Sequence, residues 1–304
     1  MKLRAGFAFV ANLSAVRGPA KMHLAKGHQL RRATAKEIET IRRSLQELSP
    51  SPRFLFTDLW ERRLFQRDRI QEGLPESEWR YFVIAFRGSN HTIASIREAS
   101  EIAPVELEIL FTVVNGGLVW HQDHLFQALQ EAQHNDDFFV EISAGDVSDI
   151  KRLRTQLEGN VSHVLNLRPF LNQLAGLKGF PRRSPLRFLG YFAILESLLT
   201  HSPQPTDPYD SITRQVKKKL ILLDHRWPRK IDYTPFGGAS TEKIWGGMYA
   251  YRSDVAHGNM PDFKKKFSIL KNHALALGLL KETTKAIIRY GLDEPQLLVD
   301  LREC

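Results

Sequence analysis

The chain has 304 residues, 42% of them hydrophobic and 25% charged, with a formal net charge of +9. That length and apolar content suffice for a sizeable core and predict a soluble globular protein of two domains. The single cysteine, Cys304, excludes an intrachain disulfide or a cysteine-based zinc site and suits a reducing cytoplasm, and no apolar run approaches the length of a membrane span.

Residues 1–15 have the basic start and short apolar run of a signal peptide, but Asn12 and Ser14 interrupt the run early. Phe7–Val10 therefore reads as a first strand. A loop rich in small and basic residues follows. Thr34-Ala-Lys-Glu37 is a capping-box pattern, which predicts a helix to Leu48 with Ile38, Ile41 and Leu45 on one face, ended by Ser49-Pro-Ser-Pro52. Arg31, Arg32, Arg42 and Arg43 read as a solvated face in preference to a nucleic-acid patch.

Residues 53–145 mix strand and helix signals. Tyr81–Phe86 and Phe138–Ile142 are short β-favouring runs, and Leu107–Val114 with Leu118–Trp120 predicts a hairpin turning at Asn115-Gly116-Gly117. A helix is predicted over His124–Gln133. His121, Asp123 and His124 lie close together, but their spacing matches no strong zinc pattern and they read as ordinary histidines. Asp146–Asp149 starts a helix through Leu157, and Val161–Leu177 forms another. Glycine and proline cluster over residues 176–185, which places a domain boundary at 178/179. The first domain, 1–178, is α+β, carries no recognisable catalytic motif and suits sensing or docking.

The remainder reads as helices with strong punctuation. Ser184-Pro185 opens one to about His201, and Asp207-Pro208 opens another carrying Ile212, Val216 and Leu220, after the break Ser202-Pro-Gln-Pro-Thr206. Trp227-Pro228 closes it. Phe263, Phe267, Leu270, Ala274 and Leu277 predict an amphipathic helix to Tyr290, and Glu294-Pro295 precedes a short last one. Long helices with short connections predict an antiparallel bundle. Residues 181–304 hold 20 Lys+Arg against 13 Asp+Glu, whereas residues 1–180 hold 23 against 21. The basic excess in the helical half suits an anionic partner or a solvated surface.

Between these helices, Ser240 with Glu242 is a helix start, and Gly258-Asn259 before Pro261 is a stop. Arg252, Asp254 and His257 thus fall in the last two turns of one helix, whose negative end favours a protonated His257 imidazole. Tyr251-Arg252-Ser253-Asp254-Val255-Ala256-His257-Gly258 resembles the Arg-x-x-x-x-His signature of the HEPN superfamily in its Apea-like form. The upstream run Tyr191-Phe-Ala-Ile-Leu-Glu196-Ser-Leu-Leu is similar to that family's aliphatic helix with one glutamate. The likeness extends from about Pro181 to the last residue.

This resemblance implies an all-α bundle over 179–304 and a homodimer in which two Arg/His sets face one cleft. It also implies RNA as the partner, and metal-independent endoribonuclease activity without a cofactor. The setting it implies is a cytoplasmic toxin or phage-defence effector restrained by an antitoxin or regulatory protein. The alternatives are a non-catalytic RNA-binding or regulatory module and a protein-interaction adaptor.

RNA is cut without a metal when its own 2′-hydroxyl attacks the neighbouring phosphorus, which needs proton transfer and stabilisation of phosphorane charge. His257 suits the first task and Arg252 the second. Five residues along an ideal helix leave about 140° between the two side chains. They converge only if the helix end unwinds at Gly258, Arg252 reaches round, or two protomers pair. Asp254, three residues before His257, is placed to contact it. Glu196 either orients Arg252 or forms a buried ion pair that sets bundle register. Tyr251 either stacks on a base or packs in the dimer interface. Ser253 stands where many family members have Asn, Asp or His. An Arg and a His near a helix end also serve simply to bind its last carbonyls.

Overall fold

The computed structural model describes residues 5–48, 56–64, 71–88, 90–121, 138–159, 164–202 and 211–304. The chain divides into two compact units, Met1–Glu158 and Gly159–Cys304. The first mixes strands with helices and the second is helical. The predicted helix His124–Gln133, the breaks at Ser49–Pro52 and Pro203–Thr206, and the Asp207-Pro208 cap lie outside the described residues.

In the first unit, β1 (Ala5–Val10), β3 (Lys21–Ala25), β4 (His28–Arg32), β7 (Phe82–Arg87), β8 (Ile109–Val114) and β9 (Gly117–Trp120) form one sheet in the order β3-β4-β7-β1-β8-β9. Every neighbouring pair in it is antiparallel. A parallel pair joins β2 (Leu13–Arg17) to β10 (Val140–Ser143), and β5 (Arg62–Leu64) pairs with β6 (Gln71–Gly73). Strand β1 has neighbours on both sides and is buried on both faces, which explains its continuous apolar run. Its Phe7 and Phe9 join Ile41 and Leu45 of α1 (Ala35–Leu48), Trp60 of α2 (Asp58–Glu61) and Phe111 in one core cluster. The predicted capping box is present: Thr34 N–H donates to Glu37 at 2.8 Å, and Glu37 N–H to the Thr34 hydroxyl at 3.4 Å. The predicted hairpin is β8–β9, turning on Asn115 and Gly116, both at positive φ (49° and 81°) as a primed turn requires.

Residues 11–33 differ from the expected loop, because they supply β2, β3 and β4. Strand β3 is the sheet edge, so it alternates exposed Lys21 and His23 with buried Met22 and Leu24. Two of its five side chains are exposed to water, which makes the segment read as a loop. Gly27, at φ 74°, closes the β3–β4 turn; a Cβ there would stand 2.9 Å from the Arg87 carbonyl oxygen. After α3 (Asn90–Ile102), helix α4 (Ala144–Gly159) begins ahead of the expected Asp146. Ser143 is its cap, exchanging hydrogen bonds with Asp146.

The second unit contains α5 (Arg168–Leu177), α6 (Pro185–Leu199), α7 (Ile212–Arg226), α8 (Thr241–Ala256), α9 (His273–Asp293) and α10 (Pro295–Glu303). The division at 158/159 lies ahead of the expected 178/179, because α5 packs against α6 and belongs with the later helices. Gly190 permits that approach, since a Cβ there would collide with Leu177. Arg187 Nε also donates to the Leu177 carbonyl at 2.8 Å. Helix α6 is apolar around most of its circumference, and it packs against α5, α7, α8, α9 and α10. Residues 263–272 do not continue the helix after them. Lys271 takes φ 64°, and Asn272 caps α9 by accepting from Leu275 N–H at 2.9 Å. Phe263 and Phe267 instead pack on Tyr251 from outside regular helix. Among the described residues no helix is long and apolar enough to cross a membrane.

Candidate functional site

Helix α8 starts where the Ser240 hydroxyl accepts from Lys243 N–H and runs unbroken to Ala256. Its end is a Schellman motif. Gly258, at φ 72°, donates to the Val255 carbonyl at 3.1 Å, and Asn259 N–H donates to the Asp254 carbonyl at 2.9 Å. His257 is the cap residue and its N–H still reaches the Ser253 carbonyl at 3.1 Å. Helical register therefore persists through His257, so the helix does not unwind between Arg252 and His257. The two side chains leave the axis about 140° apart.

Arg252 lies on the seam between α8 and α6. Its Nη2 donates to Glu196 Oε2 at 3.3 Å, and the Tyr249 hydroxyl donates to Glu196 Oε1 at 3.3 Å. One turn earlier on both helices, Phe192 meets Tyr249 edge-on with centroids 5.1 Å apart. The Glu196 carboxylate is largely shielded at 16% exposure, whereas Arg252 remains 41% exposed. This is a fixed anion beneath a cation that still faces water, with Nε and Nη1 of Arg252 unengaged among the described residues. Burial, the Glu196 charge and its hydrogen bond push the Tyr249 phenol well up, so it stays a neutral donor.

The other predicted site residues separate. His257 and Ser253 are exposed, and the His257 ring has no partner among the described residues. Asp254 does not contact His257; its two oxygens accept from Lys266 Nζ at 2.8 and 2.7 Å. That ammonium occupies both carboxylate oxygens through charge-assisted hydrogen bonds. Tyr251 is 1% exposed, too deep to stack on a base or to form a surface interface. Its hydroxyl meets His273 Nδ1 at 2.6 Å, its ring packs on Phe188 with centroids 4.6 Å apart, and burial raises its pKa to about 12. Tyr251 is thus a core anchor that fixes the rotation of α8 and so the direction of Arg252, its neighbour in sequence.

Comparison with protein-family models, curated proteins and solved structures finds no match to the chain. The functional reading therefore rests on residue chemistry. Sequence reasoning missed Tyr249, although its position three residues before Arg252 puts both on one helix face. It also missed His273 and Lys266, which are 22 and 12 residues from their partners and gave no local signal. Of the earlier metal candidates, His121 Nε2 lies 3.0 Å from the Thr112 hydroxyl, and Asp123 and His124 are outside the described residues.

Proposed function

We propose that the second unit is a metal-independent endoribonuclease of HEPN type that works as a homodimer. One observation carries the reading. Glu196 and Tyr249 hold the half-exposed Arg252 at a helix seam, on the same helix whose capped end presents the exposed, unengaged imidazole of His257. Arg252 supplies a permanent positive charge for the phosphate, through a fork that is only partly used by Glu196. His257 moves the proton of the attacking 2′-hydroxyl or of the leaving 5′-oxygen, giving a cyclic phosphate and a 5′-hydroxyl. Because the two side chains diverge within one chain, pairing of protomers is the arrangement that brings Arg252 and His257 sets to one cleft. The basic excess of residues 181–304 suits an RNA partner. The biological setting under this reading is a toxin or phage-defence effector in the cytoplasm, held in check by a regulatory protein.

The same divergence favours a second reading, RNA binding without cleavage, if the chain acts as a monomer. The deciding experiment incubates single-stranded RNA and tRNA with the protein in excess EDTA, comparing wild type, Arg252→Ala and His257→Ala, with sedimentation in parallel. Cleavage by a wild-type dimer, lost in both variants and leaving 5′-hydroxyl ends, is expected. A wild-type monomer that binds RNA equally well in all three forms, without cleavage, selects the second reading.

A further inference from the structure

The first unit carries a groove of about 880 Å³ at one end of the six-stranded sheet. That volume lies in the range of small-molecule sites. Its floor is built from Phe7, Ala85 and Val113, which the β1–β7 and β1–β8 registers set side by side on one sheet face. Helix α1 fills the rest of that face with Ile41 and Leu45, whereas Ala85 brings only a methyl group to the floor, between Phe7 and Gln29 of the neighbouring strands. Ala5, Gly6 and Gly27 around the floor add no bulk, so the groove stays open.

Its walls are cationic. Lys36, Thr40 and Arg43 recur at four and three residues, so α1 turns a polar stripe toward the groove while Ile41 and Leu45 face the core. Arg87 enters from the end of β7, where its backbone N–H is held by the Gly27 carbonyl at 3.0 Å. Arg31 comes from β4. Four cationic side chains from three elements thus converge on one concave surface, opposed by a single carboxylate, Glu37.

That carboxylate is already engaged. Arg31 donates to both Glu37 oxygens, at 2.7 and 2.9 Å. Arg43 has only a long, exposed contact with Glu39 at 3.3 Å. The side chains of Lys36 and Arg87 have no partner among the described residues. A solvated basic helix face would spread such charges over a convex surface, where water screens them; here a concave wall gathers them, which strengthens their common field.

We propose that this groove binds a nucleotide, its phosphates against Arg87, Lys36 and Arg43 and its ring over the Phe7–Ala85 floor. The proposal is independent of the ribonuclease reading, since it uses no residue of the second unit. Phosphate oxygens match the unengaged guanidinium and ammonium donors. The apolar floor supplies the part of the affinity that inorganic phosphate would lack.

Calorimetric titration of the full chain with ATP, ADP, adenosine and inorganic phosphate tests it, using wild type, Arg87→Ala, Lys36→Ala and Ala85→Leu. Lys36 and Arg87 are exposed, so their variants should fold, as circular dichroism will check. ATP or ADP is expected to bind more tightly than adenosine or phosphate. Each charge-removing variant should weaken binding about tenfold, and Ala85→Leu should do so by filling the floor. The proposal is overturned by no nucleotide binding at about 1 mM, by adenosine binding as tightly as ATP, or by both charge variants binding ATP as tightly as wild type.

Discussion

In the first unit the amide of Asn12, 2% exposed, donates to the Glu106 carbonyl and accepts from Glu108 N–H, both at 2.8 Å and more than ninety residues away. In the second unit the exposed Ser240 hydroxyl accepts from Lys243 N–H, three residues on. Both are short polar side chains that satisfy backbone groups, yet one closes a long loop inside the protein and the other starts a helix in water. The first kind of bond is made only after the chain has folded and has no competing solvent; the second forms locally and competes with water throughout. The two units are ordered by these different means. The sheet depends on pairings distant in sequence, and the helical unit on caps written beside each helix.

Asn12→Ala is the strongest break of that comparison. Losing two buried hydrogen bonds should cost about 3 kcal/mol, read as a lower urea midpoint with an unchanged slope. An effect no larger than that of an exposed cap would mean water replaces the amide, and the contrast would fail.

Glu37 sharpens the comparison from the other side, because it is a local cap inside the long-range unit. Burial alone would raise its carboxyl, but hydrogen bonds from Arg31 and Thr34 outweigh burial and hold it below the ordinary value of 4.5. A depressed folded pKa means the folded state prefers the ionised form. Its stabilisation is full above about pH 4.5 and is lost as pH falls through the lower folded value. Glu37→Gln should therefore be less stable than wild type at pH 7, by about 1 to 2 kcal/mol, with the gap closing in acid. A gap that is constant with pH would show that the charge plays no part.

Ser240→Ala should have the smallest effect, about 1 kcal/mol or less, given its exposure and long 3.4 Å bond. Its check is whether thermal unfolding shifts by only a few degrees.

The legible parts of the fold were those whose causes sit within a few residues of one another. Thr34 with Glu37, Asn115-Gly116, Ser184-Pro185, Ser240 and Gly258 each impose a backbone geometry through their own side chain or its absence, and each lies where its chemistry placed it. The strands over residues 13–32 were illegible because an edge hairpin that is half solvated has the composition of a loop. Its register comes from pairing with β7, about fifty residues later. The helical period through Phe263 and Phe267 misled for a related reason. Apolar side chains can also face a core from a turn, and Tyr251 is what they cover.

The same division runs through the candidate site. From sequence alone came the helix carrying Arg252 and His257, its start and stop, the angular gap between the two side chains, and Glu196 as a partner for Arg252. The helix and the angular gap follow from helical periodicity and capping, whereas Glu196 came from the resemblance of its helix to the HEPN pattern. Tertiary packing decided the rest: Tyr249 shares the Glu196 carboxylate, Lys266 takes Asp254, Tyr251 is sunk against His273, and basic residues from three elements meet over Ala85. A side chain's partner is whichever complementary group the fold brings within about 3 Å, and no spacing along the chain encodes that distance when the two groups belong to different elements.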